Sequence, residues 1–117
     1  MPLTHGDLSV GVDVGATNTR AAVVDPQATI LATANRLTPR GHKEGILESI
    51  LAAIQDALAV TGVERDRIAG VGVGIVGGVD IHSGMSTRSA NLGVAAIPVR
   101  LTVERALGLP CWLETDV

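Results

Sequence analysis

Between Ile68 and Ile75 the chain reads Ile-Ala-Gly-Val-Gly-Val-Gly-Ile. Val71, Val73 and Ile75 fall on one side of a period-two pattern and Gly70, Gly72 and Gly74 on the other, which is the signature of a β-strand. The elements around it follow from local spacing. Leu8 to Val14 alternates apolar with small or polar residues, and Arg20 to Asp25 is a second short run rich in β-branched residues. Gly15-Ala16-Thr17-Asn18-Thr19 between them suits a tight connection, so the spacing predicts a hairpin. Asp25-Pro26-Gln27 turns the chain again, and Thr29 to Leu37 returns as a third strand of a meander.

After Pro39, Arg40 and Gly41, apolar residues recur at Ile46, Leu47, Ile50, Leu51, Ile54 and Leu58, the one-face spacing of an amphipathic helix, with Gly62 placed to cap it. The glycine- and serine-rich segment from Gly77 to Leu92 reads as a loop. Pro98 opens a second helix through Val99, Val103, Ala106 and Leu107, which Gly108 and Pro110 stop. Cys111 to Leu113 and the following Glu114-Thr115-Asp116-Val117 read as a last strand reaching its C-terminal end. Three strands, helix, strand, helix, strand predict an α/β domain over residues 1–117, a mixed sheet with helices on its faces and parallel pairing of the later strands.

Composition narrows the function classes. Hydrophobic residues are 46% and charged residues 18% of the chain, a balance suited to a packed core. The net charge is −3, and the basic residues are scattered rather than clustered, which argues against a nucleic-acid surface. Trp112 is the one aromatic residue, so a sugar would be held by hydrogen bonds rather than by stacking. The apolar stretch from Ile68 to Ile81 is too short and too glycine-rich for a membrane span. No secretory signal precedes Leu8, and the lone Cys111 has no partner for an internal disulfide, so the cytoplasm is the expected compartment.

The segment Asp13-Val14-Gly15-Ala16-Thr17-Asn18-Thr19-Arg20 carries the most chemistry. Glycine admits an anion close to backbone amides, Thr17 and Asn18 add side-chain donors, and Asp13 can hold a magnesium ion through water. The same residues would equally make a plain hairpin with a small polar turn. Gly72-x-Gly74-x-x-Gly77 satisfies the dinucleotide-binding pattern literally, but residues 78–84 lack the helical periodicity that such a fingerprint must open. Asp13, Asp80 and Asp116 each end an apolar strand, where open α/β sheets gather ligand groups, although for Asp80 a simple strand terminator explains the residue as well. His5, His42 and His82 lie too far apart for a metal site, and Cys111 reads as a small core residue.

Taken in order, these motifs resemble the ROK family of bacterial sugar kinases and sugar-responsive repressors, within the actin/hexokinase superfamily. Gly11-Val12-Asp13-Val14-Gly15-Ala16-Thr17-Asn18 is similar to the family's opening phosphate motif, with Ala16 where a second glycine is common. Gly72-Val73-Gly74-Ile75-Val76-Gly77-Gly78-Val79-Asp80 resembles its strand and Pro-Gly-Pro-Val-Asp sugar loop, with Val76 and Gly78 in place of the prolines. Asn91-Leu92-Gly93 resembles Asn-Leu-Gly-Trp, with Val94 in place of tryptophan. Trp112-Leu113-Glu114-Thr115-Asp116 resembles a strand ending in Glu-Asn-Asp, with Thr115 in place of the sugar-binding asparagine.

The resemblance implies a ribonuclease H-like mixed sheet, the truncated N-terminal lobe of a two-lobe kinase whose adenosine site, histidine-bearing sugar motif and zinc site lie beyond Val117. It implies ATP-dependent phosphorylation of a hexose hydroxyl, with Asp116 as general base and Gly77, Gly78, Asn91 and Thr115 at the sugar. Asp13, Gly15, Ala16, Thr17, Asn18, Thr19 and Arg20 would stand at the phosphates of ATP and its Mg²⁺, Arg20 offsetting charge or bracing the hairpin. A homodimer is expected, and the 117 residues alone are expected to be inert and to self-associate through apolar side chains of Val71 to Ile75 and Cys111 to Leu113 left uncovered on one sheet face. A sugar-responsive regulator lacking its DNA-binding segment, or a non-catalytic sugar-binding or assembly module, is the alternative.

Overall fold

The computed structural model describes residues 7–89 and 92–115, with the side chains of Arg88 and Ser89 left aside. The first three strands, β1 (Leu8–Val14), β2 (Asn18–Val24) and β3 (Ile30–Leu37), form the expected meander. Helix α1 (Lys43–Thr61) follows, then a single 3₁₀ turn and β4 (Ile68–Ile75). The segment read as a loop instead contains two short strands, β5 (Gly78–Asp80) and β6 (Met85–Ser89), and a third, β7 (Val94–Ile97), follows it before α2 (Val99–Leu107) and β8 (Cys111–Thr115). Gly62 and Gly108 adopt the left-handed conformation at the ends of the two helices, as a C-terminal cap requires.

The main sheet has the order β3-β2-β1-β4-β8, with β1 antiparallel to β2 and parallel to β4, and β4 parallel to β8. The small strands make a separate antiparallel sheet, β5-β6-β7. Helix α1 contacts both β3 of the main sheet and β7 of the small one.

Both helices cover one face of the main sheet, whereas the sequence predicts helices on its faces. The crossovers β3-α1-β4 and β4-α2-β8 step in the same direction across the sheet. Right-handed connections then put both helices on the same side. Ile46, Ile50, Ala53, Ile54 and Ala57 of α1 and Val99, Val103 and Leu107 of α2 pack against Val10, Val12, Val14, Ala21, Val23, Val71, Val73, Ile75, Cys111 and Leu113. The apolar side chains of β4 and β8 that were expected to lie bare are therefore buried. Only Trp112, 59% exposed, is a large apolar group on the other face of these two strands.

That other face is lined with small and polar residues. Its rows run Thr33–Ala22–Gly11–Gly72–Trp112 and Asn35–Arg20–Asp13–Gly74–Glu114 across all five strands. The Trp112 ring leans diagonally onto Gly70, where a Cβ would lie 2.4 Å from the ring, rather than over its direct partner Gly72, which has nothing within 4 Å. The middle of the face remains a shallow hollow of about 790 Å³ bordered by Gly11, Asp13, Arg20, Thr33, Asn35 and Gly72.

Candidate functional site

Because β1, β4 and β8 are parallel, their C-terminal ends emerge at one edge. Val14, Ile75 and Thr115 form the last row of that edge, and Asp13, Gly74 and Glu114 the row before it. The amide of Val76 donates to the carbonyl of Val14 at 3.3 Å, tying the end of β4 to the start of the β1–β2 hairpin. Ligand crevices of open α/β sheets lie at such an edge.

The hairpin is closed by Gly15 N–H donating to the carbonyl of Asn18 at 2.9 Å. Its residues divide into two groups. Thr19 is fully buried, and its hydroxyl pairs with that of Thr38 at 2.8 Å, so it braces the hairpin rather than facing solvent. The Asn18 side chain accepts from Asn35 Nδ2 at 3.1 Å. At the tip, Thr17 is exposed, and the amides of Ala16 and Thr17 donate to no backbone carbonyl among the described residues. These tip groups are the ones available to an anion.

Asp13 and Arg20 are direct cross-strand partners on the open face, and Asn35 stands beside Arg20 on β3. Side chains so paired have Cβ atoms about 5 Å apart. Glu114 lies in the same row two strands from Asp13, a separation of about 10 Å at ordinary strand spacing. The sequence gives no role to Asn35 or Glu114. The alternation of Trp112 and Glu114 along β8 was the available signal for the latter, while Asn35 required knowledge of the β2–β3 register.

At the end of β4, Gly77 has φ 105°, a left-handed conformation that glycine adopts without strain and other residues rarely do. It turns the chain into β5, so Gly78 begins a strand of the small sheet, and β5 lies against β8. Gly72-x-Gly74-x-x-Gly77 accordingly opens a strand and not a helix, which removes the dinucleotide reading. Asp80 closes the β5–β6 turn by accepting from the amides of His82 at 3.0 Å and Ser83 at 3.4 Å. Those bonds, Ser83 first, hold its carboxyl below the usual aspartate value. Strand-terminating geometry accounts for Asp80. Burial raises the Cys111 thiol to about 11, with the Glu104 carboxylate adding to the shift, so it is a core residue and not a nucleophile. Asn91 and Asp116 lie outside the described residues.

A three-strand meander running into parallel strands, with a small polar hairpin and a carboxylate at the shared C-terminal edge, defines an α/β lobe built on an open mixed sheet as the class. The ROK family model matches residues 9–117, and the chain belongs to the ROK family. It is 34% identical over 109 residues to a glucokinase of Streptomyces coelicolor, covering 93% of this chain and 32% of that protein. The structure of a ROK family glucokinase from Streptomyces griseus in complex with glucose and AMPPNP superposes with a TM-score of 0.81 at 34% identity, over 93% of this chain and 33% of that one. A ROK family transcriptional regulator, a homologue of the E. coli MLC protein, superposes with a TM-score of 0.82 at 16% identity over 93% of this chain and 28% of that one, a likeness of fold alone. The chain thus spans about a third of the length of the glucokinases it matches.

Proposed function

We propose that this chain is the phosphate- and sugar-binding lobe of an ATP-dependent hexose kinase. The observation that carries the reading is the shared C-terminal edge of β1, β4 and β8, with the hairpin tip following β1 directly, Thr115 in the last row of the edge and Asp13 in the row before it. In this reading the amides of Ala16 and Thr17 and the Thr17 hydroxyl cradle the transferring phosphate. Gly15 shapes the turn, Asn18 and Thr19 brace it, and Arg20 offsets charge beside Asp13. The Asp13 carboxylate is a hard oxygen donor of the kind magnesium prefers, and the ion would neutralise phosphate charge there. Gly77, Gly78, Asn91 and Thr115 hold the sugar through hydrogen bonds.

Asp116, the residue after the last described position of β8, is the proposed general base. It accepts the proton of a sugar hydroxyl as that oxygen attacks the γ-phosphorus in line. The reading places the protein in the cytoplasm, as a homodimer. Among the described residues no helix is long and apolar enough to cross a membrane. The adenosine pocket and the closing cleft belong to a second lobe, so residues 1–117 alone are proposed to be inert.

The second reading is sugar binding without phosphoryl transfer, and Thr115 in place of asparagine is the residue in its favour. Kinetics separate the two. In a protein that joins this lobe to a second one, Asp116→Ala lowers kcat by about 10² to 10⁴ with little change in sugar affinity. Undiminished turnover in that variant removes Asp116 from the mechanism.

A further inference from the structure

The segment Thr38-Pro39-Arg40-Gly41, between β3 and α1, touches both halves of the candidate site. At its first residue, Thr38 N–H donates to the carbonyl of Thr17 at the hairpin tip at 2.8 Å. The Thr38 hydroxyl pairs with that of Thr19 at 2.8 Å, and both residues are buried. At its last residue, Gly41 N–H donates to the carbonyl of Leu92 at 2.7 Å. Leu92 is fully buried and directly follows Asn91, the residue read as a sugar ligand. Inside the segment, Arg40 N–H donates to the carbonyl of Thr38 at 3.0 Å and His42 N–H to that of Pro39 at 3.2 Å, so the strap is folded on itself and leads straight into α1.

We infer that Thr38 is a positioning residue that sets the phosphate hairpin at a fixed distance from the sugar-binding segment, through a strap anchored to Thr17 and Thr19 at one end and to Leu92 at the other. The inference rests on the proposed kinase reading for its catalytic consequence, but the mechanical coupling stands on the contacts themselves. Two features make Thr38 the control point. It engages the hairpin through backbone and side chain together, and the hydroxyl pair is buried, so removing one partner leaves the other unsatisfied. In-line transfer depends on the separation of phosphate and acceptor oxygen, and a shift of about 1 Å in such a pair costs on the order of a hundredfold in rate.

The test compares Thr38→Val, which keeps shape and backbone donor but deletes the hydroxyl, with Thr38→Ser, which keeps the hydroxyl. In a two-lobe protein carrying this chain, assayed with glucose and MgATP, Thr38→Val is expected to lower kcat about ten- to hundredfold with sugar KM changed less than threefold. Thr38→Ser is expected to restore most of it. Amide exchange on the 117-residue chain supplies the second readout. Thr38→Val should speed exchange of amides at the hairpin and of Gly41 by about tenfold relative to those of β4, while Thr38→Ser should not. Unchanged kcat in the valine variant of an active protein overturns the positioning role, as does equal loss in both variants. If the unsubstituted protein transfers no phosphate, the kinase reading fails, and the coupling is then decided by exchange: acceleration confined to the hairpin, with Gly41 untouched, contradicts it.

Discussion

Gly70 and Gly72 stand two residues apart on one strand and one face, and the same substitution at each should act in opposite directions. Gly72→Ala adds a methyl group into open space and removes the excess backbone freedom of a strand glycine, a gain of about 0.5–1 kcal/mol. At Gly70 the new Cβ would lie 2.4 Å from the Trp112 ring and 3.1 Å from the carbonyl oxygen of Pro110. The ring is the softer neighbour, so it must lift. Trp112 is 59% exposed, so roughly 100 Å² of a side chain able to bury about 250 Å² is covered. At about 25 cal/mol per Å² that cover contributes about 2.5 kcal/mol, and losing half or more of it places Gly70→Ala about 1–2.5 kcal/mol below Gly72→Ala. For a domain of this size the two midpoints should differ by about 5–10 °C. Thermal unfolding followed by circular dichroism measures the difference. The sole tryptophan supplies an independent check, since its emission should shift to the red in Gly70→Ala only. Equal midpoints with unshifted emission in both variants would refute the placement of Trp112.

Two further predictions concern titrating groups. The Cys111 thiol, raised to about 11, should be about a thousandth ionised at pH 8, so its reaction with an aromatic disulfide should run at least a hundredfold slower than in denaturant. Because the folded value lies above the unfolded one, the stability from a neutral Cys111 is complete below about pH 9 and declines as pH rises to about 11, which urea midpoints across that range will read. Asp80 shifts the other way: its lowered carboxyl orders the β5–β6 turn above the ordinary aspartate value and releases it as pH falls through the folded one. NMR titration should show the His82 and Ser83 amides moving below about pH 4, with no such movement in Asp80→Asn.

The elements readable from sequence were those with a local period. The alternation in Leu8 to Val14 and Ile68 to Ile75 and the helical spacing from Ile46 to Leu58 each need only one segment to be legible, and their limits fall close to those observed. β5, β6 and β7 escaped because strands of three to five residues, broken by Gly84 and Gly93, are too short to show a period. The placement of both helices on one face was not legible because it depends on the direction of two crossovers across the sheet, a property of the whole order β3-β2-β1-β4-β8. The same limit applies within the site. Gly15, Ala16 and Thr17 could be picked out as a tight polar turn, but Thr19 read as a phosphate donor until its contact with Thr38, nineteen residues away, showed it facing the core. Asn35 and Glu114 joined the row of Asp13 only through strand register.

The central claim, a lobe built for phosphoryl transfer to a hexose, is tested most directly by hexose-dependent ADP release from MgATP. The protein that continues this chain into a second lobe and the 117 residues alone should be assayed side by side, with glucose, mannose and N-acetylated hexosamines. The account predicts saturable turnover with at least one hexose in the two-lobe protein and none in the lobe alone. Hexose binding without any ADP release in the two-lobe protein would contradict it and favour the regulator reading.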